Sequence, residues 1–264
     1  MAILNVTADS FSGDGLAGRR DAALRRAEQA VRDGAHILDI GGESSRPGAP
    51  PVSLQEEMDR VLPIVEALAA QDVPLSIDTV KPALMRAAIA AGAAIINDIC
   101  ALQAPGALEA VAASEAGVCL MHMQGEPRTM QQDPHYQDVL GEVEAFLGER
   151  RDALLAAGVA AERILLDPGF GFGKTLAHNL ALFAALPRLR ALQQPLLVGV
   201  SRKSMLGQIT GQPVEQRVAA SVAAALLAAQ SGAAILRVHD VAATRDALAV
   251  WTAVEEHRNS GDLV

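Results

Sequence analysis

Along the chain, short apolar runs of strand length recur, and each carries polar residues at or near its end. The runs are AILNV, HILDI, PLSIDT, AIINDI, VCLMHM, ILLDPG, PLLVGVS and AILRVHD, eight in all. Short, nearly continuous apolar runs of this kind are what strands buried on both faces look like. Between them, segments rich in Ala, Leu, Glu and Arg repeat their apolar positions with helical spacing, as in residues 21–33, 54–70, 82–91 and 216–230. Strand then helix, eight times over, predicts an α/β fold of the (β/α)8 TIM-barrel type. Glycine punctuates the helix-to-strand boundaries in RDGAHI, AAGAAI, EAGVC and QSGAAI, which predicts that Gly34, Gly92, Gly117 and Gly232 stop helices. No Gly/Ser-rich or Pro-rich linker divides the 264 residues, so a single domain over residues 1–264 is expected. A doubly wound open sheet shares the alternation but rarely needs eight strands and usually opens on a glycine-rich turn.

The polar residues gain meaning from this arrangement. Asn5, Asp39, Asp78, Asn97 with Asp98, His122, Asp167, Ser201 with Lys203, and Arg237 with His239 fall at the predicted strand ends. In a barrel those ends converge on the C-terminal mouth, where rigid strands meet variable loops. Any one of them can instead cap a helix or close a turn, and for Asp39 and Asp98 that reading stays open beside a place in the site. The set as a whole points to a site, because SRKS and RVH place basic residues on neighbouring strands. Strands 7, 8 and 1 are adjacent in a closed barrel, so Ser201, Arg202 or Lys203, Arg237, His239 and Asn5 can share one anion. Across from them, Asp78, Asn97 and Asp167 offer carboxylate and amide groups to the N–H edge of a flat heterocycle. Such a mouth suits a substrate with a polar ring at one end and phosphate at the other.

Composition restricts the partners. A formal net charge of -9 argues against a nucleic-acid surface, so any anion site must be local. Cys100 and Cys119 lie in apolar runs without disulfide or metal-ligand spacing, as expected of buried, inert thiols in a reducing cytoplasm. The N-terminal MAILNVTADS has neither a basic start nor a long apolar core, so no signal peptide is expected. The apolar stretch VAASVAAALLAAQSGAAIL is Ala-rich and interrupted by Ser, Gln and Gly, which fits a packed helix rather than a membrane span.

One stretch, LDPGFGFGKT, invites a nucleotide reading through its Gly-Lys-Thr ending. The glycine that a phosphate loop needs five residues before the Gly-Lys pair is Pro168, which has no N–H. The glycines at 169, 171 and 173 also miss the dinucleotide spacing. Lys174 and Thr175 are therefore expected to satisfy backbone or solvent rather than phosphate.

Eight motifs in order, ILNVTADSF, DIGGESSRPGA, SIDT, INDI, LMHMQG, DPGFGFGK, VGVSRKSMLG and LRVHDV, together resemble the dihydropteroate synthase family, the folate-pathway barrels targeted by sulfonamides; the likeness spans residues 3–241. The resemblance implies transfer of the methylene carbon of dihydropterin-methyl diphosphate to the amine of 4-aminobenzoate, by an SN1-like route. It assigns the pterin ring to Asp78, Asn97, Met121, Asp167, Gly199 and Lys203, with Asp78, Asp167 and Lys203 catalytic. It assigns diphosphate to Asn5, Arg46, Arg237 and His239, with Asn5 also holding Mg2+. It assigns 4-aminobenzoate to Ser45, Arg46, Pro47, Phe172, Ser201 and Lys203, in a pocket that two mobile loops, residues 7–15 and 42–51, create when they close over bound diphosphate. A cytoplasmic homodimer is implied.

Departures from the family pattern are Ala8 in place of a usual proline, FSGDG in place of FSDGG, and Ser45 in place of a usual threonine. The Ser45 change bears on 4-aminobenzoate and sulfonamide affinity. The chain starts almost at strand 1, without the extension that often plugs the barrel bottom, which is expected to affect stability. His122 is either a core histidine or a substrate contact, and Arg202 either an anion ligand or a surface and dimer residue. Rival readings are a methyltetrahydrofolate-dependent methyltransferase of the pterin-binding family and a non-catalytic paralog. The first has no reason to keep SRPG, SRKS and RVH together, and the intact acidic and basic set argues against the second.

Overall fold

The structure is a computed structural model that describes residues 1–7, 16–46 and 48–260; Ala8, the FSGDG segment and Pro47 lie outside the described residues. Eight parallel strands run in sequence order: β1 (Ala2–Asn5), β2 (Leu38–Gly41), β3 (Leu75–Asp78), β4 (Ile95–Asp98), β5 (Gly117–Met121), β6 (Ile164–Asp167), β7 (Leu196–Val198) and β8 (Ala233–Leu236). A parallel bridge between Ala2 and Val238 joins the last strand to the first. Two backbone bonds complete that seam, Ile3 N–H to the Val238 carbonyl and Val238 N–H to the Met1 carbonyl, each 3.0 Å. The sheet thus closes on itself as a TIM barrel, which removes its edges.

Helices α1 (Leu16–Arg32), α2 (Leu54–Leu68), α3 (Pro82–Ala90), α4 (Ala107–Ala112), α5 (Val139–Ala156), α6 (Leu176–Ala184), α7 (Leu186–Leu189), α8 (Ser204–Thr210), α9 (Val218–Gln230) and α10 (Val241–Ser260) wrap the outside. The buried set Leu38, Ile40, Leu75, Ile77, Ile96, Leu120, Ile164 and Leu166 from the strands meets Val61, Val65, Leu84 and Leu147 from the helices. This is the layer the apolar runs were built for.

Two boundaries differ from the pattern. α1 starts at Leu16, more than one turn before residue 21, and α9 starts at Val218 after a short 3-10 turn over Val214–Gln216. Gly34, Gly92 and Gly232 do take positive φ at helix ends. Gly117 does not; it is the first residue of β5, and α4 ends without it at Ala112, with Ala113 as its C-cap. No helix among the described residues is long and apolar enough to cross a membrane.

Candidate active site

Strand alternation decides which polar side chains meet. Asp39 stands second in β2, not at its end, and is 0% exposed. It accepts hydrogen bonds from Ser76 Oγ (2.6 Å) on β3, from Asn97 Nδ2 (3.3 Å) on β4 and from Arg237 Nε (2.6 Å) just after β8. The capping reading of Asp39 is therefore wrong: an anion inside a closed barrel is held by partners from three other segments. Asp98 points the other way, and its carboxylate accepts the backbone N–H groups of Cys100 (2.7 Å) and Leu102 (2.9 Å). There the turn reading holds.

Asp78 closes β3 beside Gly41 and Asn97 in register, and its Oδ2 accepts from Arg237 Nη2 at 2.8 Å. One guanidinium thus clasps two carboxylates, Asp39 and Asp78, with its planar fork. The expected separation of acidic and basic poles is not what the barrel builds, since Arg237 reaches from the basic side into the acidic one. Burial, reinforced by Asp39 but opposed by Arg237, raises the Asp78 carboxyl to about 7. Asp167, at the end of β6 beside Met121, is likewise raised by burial, while Lys203 works to lower it.

The DPGFGFGK segment forms a tight turn over these groups. Gly169 has φ +70°, and a Cβ there would overlap the His122 carbonyl; Gly173 has φ +62°, and its Cβ would overlap the Gln124 carbonyl. Only glycine fits both positions. Asp167 Oδ1 accepts the Gly169 N–H (2.7 Å), Asn179 Oδ1 accepts the Gly171 N–H (2.8 Å), and Tyr136 Oη donates to the Gly173 carbonyl (2.9 Å). Gln131 donates to the Gly171 carbonyl. Phe170 is buried against Phe183, whereas Phe172 remains half-buried beneath Lys203, whose Nζ sits 4.6 Å from its ring centre.

Lys203 also donates to the Phe170 carbonyl, and burial lowers it to about 8 although Asp167 favours its charge. Lys174 is 3% exposed; it donates to the carbonyls of Gly169 (3.0 Å) and Phe172 (3.1 Å) and lies 2.9 Å from His122 Nδ1. Burial lowers Lys174 to about 7 and, with Lys174 beside it, His122 to about 3. Lys174 satisfies backbone as expected, and His122 is a neutral core histidine. Thr175 caps α6, its Oγ1 accepting the His178 N–H at 3.2 Å.

On the basic side, His239 Nδ1 and backbone N–H both lie 3.1 Å from Ser201 Oγ. Burial, then the charges of Arg202, Arg237 and Arg46, lower His239 to about 4, so the ring is neutral at pH 7 within a cationic surround. Arg202 forms a two-pronged pair with Asp240 at 3.0 and 2.5 Å, and its side chain stays partly exposed. Asn5 ends β1 beside Gly41, Arg46 is exposed, and Ser45 is half-buried. Gly199 follows β7, and a Cβ there would stand 3.7 Å from Arg237 Cβ. Burial raises Cys100 to about 12 and also pushes the Cys119 thiol well above its ordinary value.

Ser76 is the site residue that pattern reasoning missed, and Asp39 the one it left open between a cap and the site. The signal was present in HILDI and PLSIDT: a charge or hydroxyl inside a strand buried on both faces must find a polar partner.

A closed barrel with a polar mouth built from Asp39, Asp78, Asn97, Asp167, Lys203 and Arg237 defines the class. The family model for pterin binding enzymes matches residues 1–239, and the chain belongs to that family. It is 50% identical over 254 residues to the dihydropteroate synthase of Haemophilus influenzae, covering 96% of this chain and 92% of that one. Against the dihydropteroate synthase of Neisseria meningitidis serogroup B it is 52% identical over 261 residues, 96% of this chain and 92% of that one. The structure superposes on that of Burkholderia cenocepacia dihydropteroate synthase complexed with 7,8-dihydropteroate with a TM-score of 0.90 at 57% identity, covering 98% and 92% of the two chains. The Yersinia pestis enzyme in a sulfonamide drug complex gives 0.92 at 52% identity, over 97% and 94%.

Proposed function

We propose that the chain is a dihydropteroate synthase, joining (7,8-dihydropterin-6-yl)methyl diphosphate to 4-aminobenzoate with release of diphosphate. The observation that carries this reading is the gathering of Asp78, Asn97, Asp167, Lys203 and Arg237 at one barrel mouth. Near-full-length likeness to several dihydropteroate synthases supports it.

In this reading the ring's N–H donors face Asp78, Asn97 and Asp167, with Lys203 as a donor to ring acceptors and Met121 and Gly199 beside the slot. The C–O bond of the methyl diphosphate breaks first, and diphosphate leaves with the electron pair. The pterin methylene is left cationic, and the carboxylates of Asp78 and Asp167 stabilise it electrostatically. The amine nitrogen of 4-aminobenzoate then bonds to the methylene and gives up a proton.

Asn5, Arg46, Arg237 and His239 receive the leaving diphosphate. Neutral His239 acts there as a hydrogen-bonding group, while the arginines carry the charge. Ser45, Arg46, Phe172, Ser201 and Lys203 surround 4-aminobenzoate, with Pro47 in the same loop; Phe172 offers its ring face. The donor set is compatible with Mg2+ of the kind that takes few protein ligands and completes its shell from phosphate and water. Asn5, which ends β1 beside Gly41, would supply the amide oxygen. The ion, when bound, neutralises charge on diphosphate.

Assembly as a homodimer belongs to the same proposal, supported by the exposed apolar side chains Leu227, Val250 and Val254 on α9 and α10. So does a cytoplasmic location, which fits two thiols that form no disulfide. The test is direct. Purified protein given the pterin diphosphate, 4-aminobenzoate and Mg2+ should release diphosphate and form 7,8-dihydropteroate; absence of that product refutes the reading.

A further inference from the structure

The connection between β2 and α2 carries Ser45 and Arg46, and its two ends are tied together by a half-buried ionic cluster. Glu43 follows directly on Gly42, and its Oε1 accepts the Val52 backbone N–H at 3.1 Å. Lys81 Nζ donates to Glu43 Oε2 at 2.5 Å, to the Val52 carbonyl at 2.8 Å and to Glu57 of α2. Both backbone groups of Val52 are therefore held, one by Glu43 and one by Lys81. Arg60 Nη1 adds a bond to the Gly42 carbonyl at 2.8 Å. At the far side, Val52 leads straight into the Ser53 cap of α2.

Lys81 is also the N-cap residue of α3, three positions beyond Asp78. It thus joins the β2–α2 connection to the segment that presents Asp78. Glu57 is 1% exposed, and its Oε1 has no hydrogen-bond partner among the described residues. A carboxylate buried at that cost is tolerated because Lys81 compensates it. Burial opposes the lysine's charge, but the Glu43 and Glu57 bonds outweigh it and raise its pKa.

We propose that Lys81 is a positioning residue for the second substrate: by fixing both ends of the Glu43–Val52 connection relative to Asp78, it sets where Ser45 and Arg46 stand when 4-aminobenzoate binds. Holding the ends of a loop removes conformations that binding would otherwise have to exclude, and a small misplacement of a binding group is expensive in rate. The inference rests on the synthase reading, so its test needs one readout with product formation and one without.

Lys81→Met should raise the KM for 4-aminobenzoate by about tenfold or more. Affinity for a pterin lacking the diphosphate, 6-hydroxymethylpterin, should stay within about twofold. In ligand-free protein, hydrogen exchange at the Val52 amide should quicken by about tenfold while β3 amides keep wild-type rates. Lys81→Arg, which can still bridge both carboxylates, should restore much of the KM. The pair Lys81→Met with Glu57→Gln removes a carboxylate left uncompensated, and it serves if the single variant does not fold. Equal losses for pterin and 4-aminobenzoate, or an unchanged 4-aminobenzoate KM, overturn the proposal. Unchanged Val52 exchange overturns it independently of activity, whereas an inactive wild-type protein refutes only the synthase reading.

Discussion

Arg237 Nε and Asp39 Oδ2 meet at 2.6 Å inside the barrel, although 198 positions separate them in the chain. The same guanidinium reaches Asp78, so the last strand's exit segment organises the second and third strands. This clasp makes Asp39 a supporting member of the site.

Asp39→Asn keeps the shape but removes the charge that Arg237 was placed to meet. Breaking one side of a buried ion pair costs roughly 3 to 5 kcal/mol, so a lowered unfolding midpoint is expected together with a fall in kcat/KM of about tenfold to a hundredfold. A denaturant melt and steady-state kinetics on the same preparation measure both. Wild-type rates would show that Arg237 needs only Asp78.

The pH profile follows from two buried groups. Asp78 must be ionised to accept ring N–H donors, so kcat/KM for the pterin diphosphate should rise as pH passes about 7. Lys203 must keep its proton, so the rate should fall above about 8. Lys203→Met should erase the alkaline limb and spare the acid one. A profile that stays flat from pH 6 to pH 9 contradicts these roles.

Lys174 gives the stability counterpart. Its folded pKa, about 7, lies below the ordinary value of 10.5, so above pH 7 the unfolded chain binds more protons at this group than the folded one. Its contribution to unfolding free energy therefore rises with pH between about 7 and 10.5. Lys174→Met should flatten that segment of the stability curve, as read by melts across the interval.

Two glycines of one turn should separate stability from activity. Gly169→Ala forces a methyl into the His122 carbonyl at φ +70°, and a loss of roughly 3 to 5 kcal/mol is expected. At Gly171, φ +78°, the new methyl meets only Lys203 Cδ at 3.4 Å, so roughly 1 to 2 kcal/mol is expected, with turnover falling through displaced Lys203. Equal melting temperatures for the two variants would contradict the geometry.

Ser45→Thr restores one methyl near the proposed 4-aminobenzoate pocket, worth about a threefold change in affinity for 4-aminobenzoate or a sulfonamide. Pterin affinity should not move. A change confined to pterin would mean that residue 45 faces the other substrate.

The apolar runs and glycine-marked boundaries determined the barrel by themselves, because burial on both faces and helical periodicity are local properties of the chain. The motifs likewise marked Asp78, Asn97, Asp167 and Lys203 as residues of the mouth. Distance in space was not legible. Asp39 stayed open between a cap and the site because a strand's polar residue does not announce its partners, and only barrel closure brings Arg237 to it. Gly117 read as a helix stop because glycine marks strand starts and helix ends alike, and backbone φ alone tells them apart. The Glu43, Glu57 and Lys81 cluster was equally hidden, since its members come from three segments and became one group only when α2 and α3 packed against the strands between them. Local pattern set the elements; which charges compensate each other was decided by the tertiary structure, because burial makes a charge depend on neighbours that the chain supplies from far away.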